Sequence, residues 1–308
     1  METTLTVPAE SAAGSPAVPA GQLVTVRVPA TSANLGPGYD SLGLALTLHD
    51  TLTVETLASG ELEFELSGEG AESLPRDATH LVVKALTEAL HRLGFRHEGL
   101  RITADNVNPH GRGLGSSASA VVAAVSAANA LVPEASRRGR DWILQLTSEM
   151  EGHPDNVAPA IFGGLALSWQ DSDQYSSTCA SVAASVIPVV AVPDYELSTE
   201  AARALLPASV GHHAAAMNSG RAALLIHALT TNPEFLLPGT EDYQHGGSGA
   251  GYDGGVPTVL VLANGEAEAH EVVDFIGAHT AGNTPEVGWR VMKLAVDVEG
   301  AKVEVHRR

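Results

Sequence analysis

The chain reads as an α+β protein of two domains, and three features of its 308 residues lead there. Alternating strand patterns give way to helical stripes without a repeating strand–helix–strand unit, which argues against a doubly wound sheet. A polar stretch at 170–186, rich in Ser, Asp and Gln, reads as a surface insertion or a domain junction. Beyond it, a strand–helix–strand–strand order suggests a small second α+β layer packed against the first. The expected division is a disordered tail at 1–22, an N-terminal domain at 23–170 and a C-terminal domain at 171–308.

Leu23 opens a strand in which Val24, Val26 and Val28 alternate with Thr25 and Arg27. Residues 29–40, Pro-Ala-Thr-Ser-Ala-Asn-Leu-Gly-Pro-Gly-Tyr-Asp, form a punctuated polar loop that suits capping or binding. Leu44–Val54 and Glu61–Leu66 read as strands; in the second, Leu62, Phe64 and Leu66 face inward and the intervening glutamates face water. Thr79 is expected to cap a helix with the stripe Val82, Val83, Leu86, Leu90 and Leu93, ended by Gly94. A helix at Asp141–Met150, a buried strand at Ile161–Trp169 and a core strand at Val186–Val192 follow. Ser198 is placed to cap a short helix stopped by Pro207, and Ala214–Leu229 forms a longer one. A Gly-rich run, Gly246–Gly255, leads to a strand at Thr258–Ala263, a helix near Glu266–Ile276 and strands near Arg290–Val296 and Lys302–Val305.

The most telling stretch is Pro109, His110, Gly111, Arg112, Gly113, Leu114, Gly115, Ser116, Ser117, Ala118 and Ser119. Glycines at alternate positions let the backbone turn tightly and bring N–H groups close to a ligand. Ser116 is the expected N-cap of an alanine-rich helix running to Ala130, with Val121, Val122 and Val125 on one face. A loop of this kind presents unpaired N–H donors and the positive end of a helix dipole, which suits phosphate. No lysine precedes the serines, so this is not the G-x-x-x-x-G-K-[ST] loop. A serine hydroxyl at the helix start is free to serve Mg²⁺.

A second cluster begins at the end of the helix after it: Glu149, Glu151, His153, Asp155 and Asn156, bounded by Gly152 and Pro154. Acidic residues at a helix C-terminus are unfavourable unless a cation compensates them. Mg²⁺ takes one or two carboxylates plus phosphate oxygens, so the cluster is suited to complete a shell begun by Ser117.

The formal charge of −19 argues against a nucleic-acid partner. No run of 18 apolar residues exists, which argues against a membrane span. The single cysteine, Cys179, fits a reducing compartment, and a buried or incidental place is expected for it. Residues 1–22 lack the charged start and apolar segment of a signal peptide, so a cytoplasmic protein is expected. The short basic run at Arg137, Arg138 and Arg140 reads as a solvated turn.

With these residues in view, the chain resembles the homoserine kinases of the GHMP small-molecule kinase superfamily, from Val24 to about His245 and more weakly afterwards. The 109–119 segment is similar to the superfamily's ATP-binding motif. Residues 31–36 (Thr-Ser-Ala-Asn-Leu-Gly) with Gly38-Tyr39-Asp40, and residues 153–160 (His-Pro-Asp-Asn-Val-Ala-Pro-Ala), resemble motifs of the homoserine branch. The resemblance implies phosphoryl transfer from ATP to the side-chain hydroxyl of L-homoserine, in threonine biosynthesis. It implies an N-terminal domain like the second domain of ribosomal protein S5 and a ferredoxin-like C-terminal domain. It places Asn34 and Asp40 on the amino acid, with Asp40 taking the ammonium, and Asn156 near the reacting hydroxyl. Thr199 and Arg203 approach the substrate. Ser117 and Glu149 hold Mg²⁺, with Glu151 competing for the second place. Asp155 is a candidate general base, although Asn156 orienting the hydroxyl can suffice. The partners are thus L-homoserine and ATP, and a homodimer stays open.

Two departures stand beside the resemblance. After Glu241-Asp242 the family continues with a Leu-His-Gln-Pro-Tyr-Arg-like segment whose arginine grips the substrate carboxylate; here Tyr243-Gln244-His245 passes into glycines. The third superfamily motif, Gly-Ala-Gly-Pro-Ser/Thr, is interrupted between Gly251 and Pro257. The C-terminal domain therefore reads as shortened near 245–256. A GHMP-fold protein that binds nucleotide or amino acid without transfer, and a kinase for another small alcohol, are the alternatives.

Overall fold

A computed structural model describes residues 14–195, 207–243, 258–280 and 288–306. The valine alternation that opens the chain forms β1 (Leu23–Ala33), with Val24, Val26 and Val28 fully enclosed. β1 pairs antiparallel with β2 (Leu42–Leu57), and the register slips between Pro29 and Ala30, where proline has no N–H to give the ladder. β3 (Leu62–Gly68) then leads through α1 (Leu81–Arg92) to β4 (Gly99–Asn106), which lies parallel to β3 and antiparallel to β2.

β4 is absent from the sequence reading, although Leu100, Ile102 and Ala104 alternate with Arg101, Thr103 and Asp105 and are buried. A strand–helix–strand crossover is therefore present in this sheet. The cap of α1 is His80 rather than Thr79: His80 Nδ1 accepts from the Val82 N–H at 3.2 Å. Asp77 takes Thr79 instead, accepting from its N–H and its hydroxyl.

α2 (Ser116–Leu131), α3 (Arg140–Glu151) and the short α4 (Val157–Phe162) cover the sheet. α2 is enclosed well beyond the face that carries Val121, Val122 and Val125, because its small side chains let β1, α1, α3 and α4 approach from several sides. Arg137, expected in a solvated turn, donates to the carbonyls of Ala130 and Val132 and closes the helix C-terminus. The first core gathers Val24, Val26, Leu86, Leu90, Leu100, Ile102, Val122 and Leu131.

The strand expected at Ile161–Trp169 splits, since α4 occupies its start and β5 (Leu165–Asp171) begins only after Gly163-Gly164. The polar 170–186 stretch is a hairpin, with β6 (Gln174–Ala180) antiparallel to β5 and β5 antiparallel to β2. Cys179 lies exposed on β6, and local desolvation still pushes its thiol pKa up.

β7 (Val186–Pro193), α5 (His212–Thr230), β8 (Val259–Asn264), α6 (Glu266–Thr280) and β9 (Trp289–Lys293) make the second layer. Its sheet runs β8–β7–β9, all antiparallel. A second core, with Leu35, Leu44, Leu46, Leu114, Val190, Val192, Leu225 and Leu229, joins the two layers. β10 (Lys302–His306) leaves that layer and pairs with β1, giving a large sheet ordered β10–β1–β2–β4–β3.

The tail also ends sooner than expected. Val18 is 4 % exposed and donates its N–H to Arg96 O, and Pro19 O accepts from Thr56 Oγ1. Residues 14–22 are thus pinned to the fold, whereas 1–13 lie outside the described residues. The helix expected at Ser198 and the run Gly246–Gly255 also lie outside them. Among the described residues, no helix is long and apolar enough to cross a membrane.

Candidate active site

The glycine loop is held at both ends. Asp50 Oδ1 accepts from the N–H groups of Val107 and Asn108 at 2.7 and 2.8 Å, and burial raises its carboxyl pKa against the lowering effect of those bonds. Asn108, fully buried, spans the loop to donate to Leu114 O at 2.8 Å, and Thr31 N–H donates to the same oxygen. Arg112 ties the loop to the second layer through Pro193 O and Asp194 O, both at 2.9 Å. Thr258 Oγ1 donates to Arg112 O from the same side.

Ser116 does not cap α2. Gly115 stands at the N-cap with φ +67°, no side chain caps the helix, and Ser116 is its first residue. A Cβ on Gly115 would lie 2.1 Å from Thr31 Oγ1 and 2.9 Å from Asn156 Oδ1, so both conformation and space demand glycine. The first N–H groups of α2 therefore point out of the helix without a side-chain acceptor, at the positive end of its dipole.

Of the two expected carboxylates, Glu151 and not Glu149 meets the serine. Ser117 Oγ donates to Glu151 Oε1 at 2.7 Å. Burial raises the Glu151 pKa; the Ser117 bond and His153 pull it down, and Asp155 pushes it up. Exposed Glu149 is engaged elsewhere, accepting from Gln145 Nε2 at 2.8 Å and facing Arg92 Nη2 at 3.5 Å. Beside the α2 mouth a cavity of about 210 Å³ opens, lined by Ser116, Ser117, Asn106 and His80 among largely apolar neighbours.

Asn34 and Asp40 both adopt left-handed backbone, at φ +58° and +55°, and Asn34 Oδ1 accepts from Asp40 N–H at 2.8 Å. Two non-glycine residues in this region at the ends of one loop store strain of the kind that functional sites carry. Leu35 between them is anchored in the second core. Asn156 reaches the same place: Thr31 Oγ1 donates to its Oδ1 at 2.8 Å. The 153–156 segment sits tight on β2, where a Cβ at Gly43 would stand 1.9 Å from Asp155 O. Asp155 is fully buried, with Oδ1 2.5 Å from His153 Nδ1 and Oδ2 without a hydrogen-bond partner among the described residues.

The structure thus brings Ser117, Glu151, Asn156 and the glycine loop together, with the Asn34–Asp40 loop following directly on the strand that carries Thr31. Thr199 and Arg203 lie outside the described residues. Sequence reasoning missed the roles of Asp50, Asn108 and Thr31. Asn108 stands immediately before Pro109, a local hint; Asp50 lies 57 positions before Val107 and meets the loop only in the fold.

Similarity to known proteins agrees with this geometry. The family described as GHMP kinases N terminal domain matches residues 80–164. The chain is 45% identical over 301 residues to the homoserine kinase of Streptomyces avermitilis, covering 91% of this chain and 95% of that one. It belongs to the homoserine kinase family. The Clavibacter michiganensis subsp. michiganensis homoserine kinase is 40% identical over 94% of this chain and 96% of its own length. The crystal structure of homoserine kinase from Cytophaga hutchinsonii superposes with a TM-score of 0.79 at 24% identity, over 92% of this chain and 97% of the other. The Methanococcus jannaschii mevalonate kinase shares the fold at TM-score 0.58 and 14% identity, over 88% of this chain and 98% of the other. The α+β architecture of this homoserine kinase family member, with its large mixed sheet and small second sheet, is the GHMP kinase fold.

Proposed function

We propose that the chain transfers the γ-phosphoryl group of ATP to the side-chain hydroxyl of L-homoserine, giving O-phospho-L-homoserine for threonine biosynthesis. The observation that carries this reading is the open α2 N-terminus beside the Ser117–Glu151 pair, in a chain of the homoserine kinase family. In the reaction the hydroxyl oxygen bonds the γ-phosphorus as the bond to the ADP oxygen breaks, and the hydroxyl proton leaves. Little covalent chemistry is asked of the protein, so position and charge dominate.

The N–H groups of residues 113–118 cradle the phosphates and favour the negative charge that develops there. Ser117 and Glu151 would hold Mg²⁺. The fit rests on Glu151, a half-buried carboxylate with a hydroxyl donor and no Lys or Arg ion pair among the described residues. When bound, that ion neutralises phosphate charge. Asn34 and Asp40 hold the amino acid, Asp40 on the ammonium, with Thr199 and Arg203 as further substrate contacts. Asn156, its Oδ1 fixed by Thr31, offers its amide N–H to the reacting hydroxyl. Asp155, enclosed as it is, steadies that loop through His153.

Release of ADP, measured with homoserine, with serine and with no acceptor, tests the proposal. Turnover that depends on homoserine is expected. ATP binding without acceptor-dependent turnover would identify a binding protein, and preference for another alcohol would move the substrate assignment.

A further inference from the structure

Asn156 stands at the N-cap of α4, a place its side chain suits, yet it makes no capping bond there. It turns instead to Thr31, whose hydroxyl donates to Asn156 Oδ1 at 2.8 Å. A terminal carboxamide torsion is broad and roughly two-fold, so an amide faces one way only when a partner selects it. Thr31 is that partner. It is fully enclosed and its hydroxyl has a proton to give, so the carbonyl end of the amide is drawn to it and Nδ2 is turned away. Among the described residues, none accepts a hydrogen bond from that Nδ2.

Thr31 is fastened to the phosphate loop as well. Its N–H donates to Leu114 O at 3.1 Å, and its hydroxyl closes on Gly115, where an added Cβ would collide with Oγ1. Within the first turn of α2, Ser119 Oγ donates to Pro29 O at 3.1 Å, so residues 29–31 of β1 run along the mouth of that helix. The strand gives a rigid base, with Thr31 opposite Ala45 in the β1–β2 ladder and its branched side chain restricted at χ1. We propose that Thr31 is a positioning residue that holds the Asn156 amide in register with the phosphate loop, so that Nδ2 meets the reacting oxygen in line with the phosphoryl group. This rests on the kinase reading, in which Asn156 faces the homoserine hydroxyl. Thr31 acts through Asn156 and not on a substrate, so its hydroxyl governs the rate rather than the binding of ATP or homoserine.

Two variants of the full chain separate the hydroxyl from its packing, because Thr31→Ser and Thr31→Ala lose the same methyl and differ by one O–H. In homoserine-dependent release of ADP, Thr31→Ala should lower kcat about tenfold or more, with both KM values within about threefold of the parent. Thr31→Ser should recover most of that rate. Equal rates in the two variants, or a loss confined to either KM, overturns the role of Thr31. A double-mutant cycle then tests the route: adding Thr31→Ala to Asn156→Ala should change kcat by less than about twofold, and a larger further fall overturns the proposal. The double variant leaves no amide oxygen without its donor, so this comparison stands even where Thr31→Ala alone fails to fold. A parent chain without homoserine-dependent turnover overturns the kinase reading and this inference with it. An active parent beside an equally active Thr31→Ala variant overturns this inference alone.

Discussion

Glu151 lies against the first turn of α2, with the Ser117 hydroxyl 2.7 Å from its Oε1 and its carboxylate desolvated. Its raised pKa has a definite consequence for stability. Below the ordinary value of 4.5 both folded and unfolded chains hold the proton. Between 4.5 and the raised folded value only the folded chain does, so this contribution to stability is lost as pH rises through that window. Glu151→Gln removes the titration, so the ligand-free variant should gain on the parent in thermal melts between pH 4 and pH 8. A difference that stays flat with pH contradicts the account. The same substitution should raise the Mg²⁺ concentration for half-maximal activity about tenfold or more, while Glu149→Gln leaves it unchanged; the opposite order would return the metal to Glu149. Ser117→Ala should lower kcat roughly 100-fold, with the melting temperature within about 2 °C, and equal losses in rate and stability would make the serine structural. Asp40→Asn should raise KM for homoserine and leave KM for ATP alone; the reverse pattern contradicts the substrate assignment. The types and places of these residues were legible because Ser117, Glu151 and Asn156 fall in short punctuated motifs. The choice of Glu151 over Glu149 was not, since it depends on which face of α3 turns toward α2.

The glycine loop and α2 act as one element. Alternate glycines and a run of alanines announced both, because tight turns and close helix packing each require small residues. The cap escaped the reading: a serine before a helix ordinarily caps it, but here Gly115 takes that position with its left-handed backbone and Ser116 enters the helix. Leaving the helix start without a side-chain cap is a local loss that suits a ligand-binding end. Gly115→Ala should therefore push against Thr31 and Asn156 and abolish most activity, with a destabilisation of about 1–3 kcal/mol. Gly139→Ala, at a position with nothing within 4 Å of the added Cβ, is the control and should be close to neutral. Activity assays and denaturant unfolding of the pair check this, and a tolerated Gly115→Ala would remove the steric argument. β4 shows the opposite failure of reading, a strand whose period-two pattern was present but whose parallel partner only the fold reveals.

At the scale of the molecule, the chain crosses between its two layers more than once. The expected boundary between residues 170 and 171 falls at the end of β5, within the β5–β6 pair, and β10 returns from the second layer to edge the large sheet against β1. Local patterns gave each of these strands or its polarity, but pairings between residues more than 270 positions apart, such as Val26 with Val303, leave no local trace. Removing residues 301–308 should accordingly destabilise the N-terminal layer, seen as faster amide hydrogen exchange along β1; unchanged exchange there would mean that β10 is dispensable. The second core, shared by Leu35, Leu114, Val190 and Leu229, joins the 29–40 loop and the glycine loop to the second layer, so the candidate site is built from both layers. The most direct measurement of the central claim is a crystal structure with a non-hydrolysable ATP analogue and homoserine. The account predicts the triphosphate on the N–H groups of residues 113–118, its last phosphorus beside Ser117 and facing the homoserine hydroxyl at Asn156. A triphosphate bound anywhere else on the molecule would contradict it.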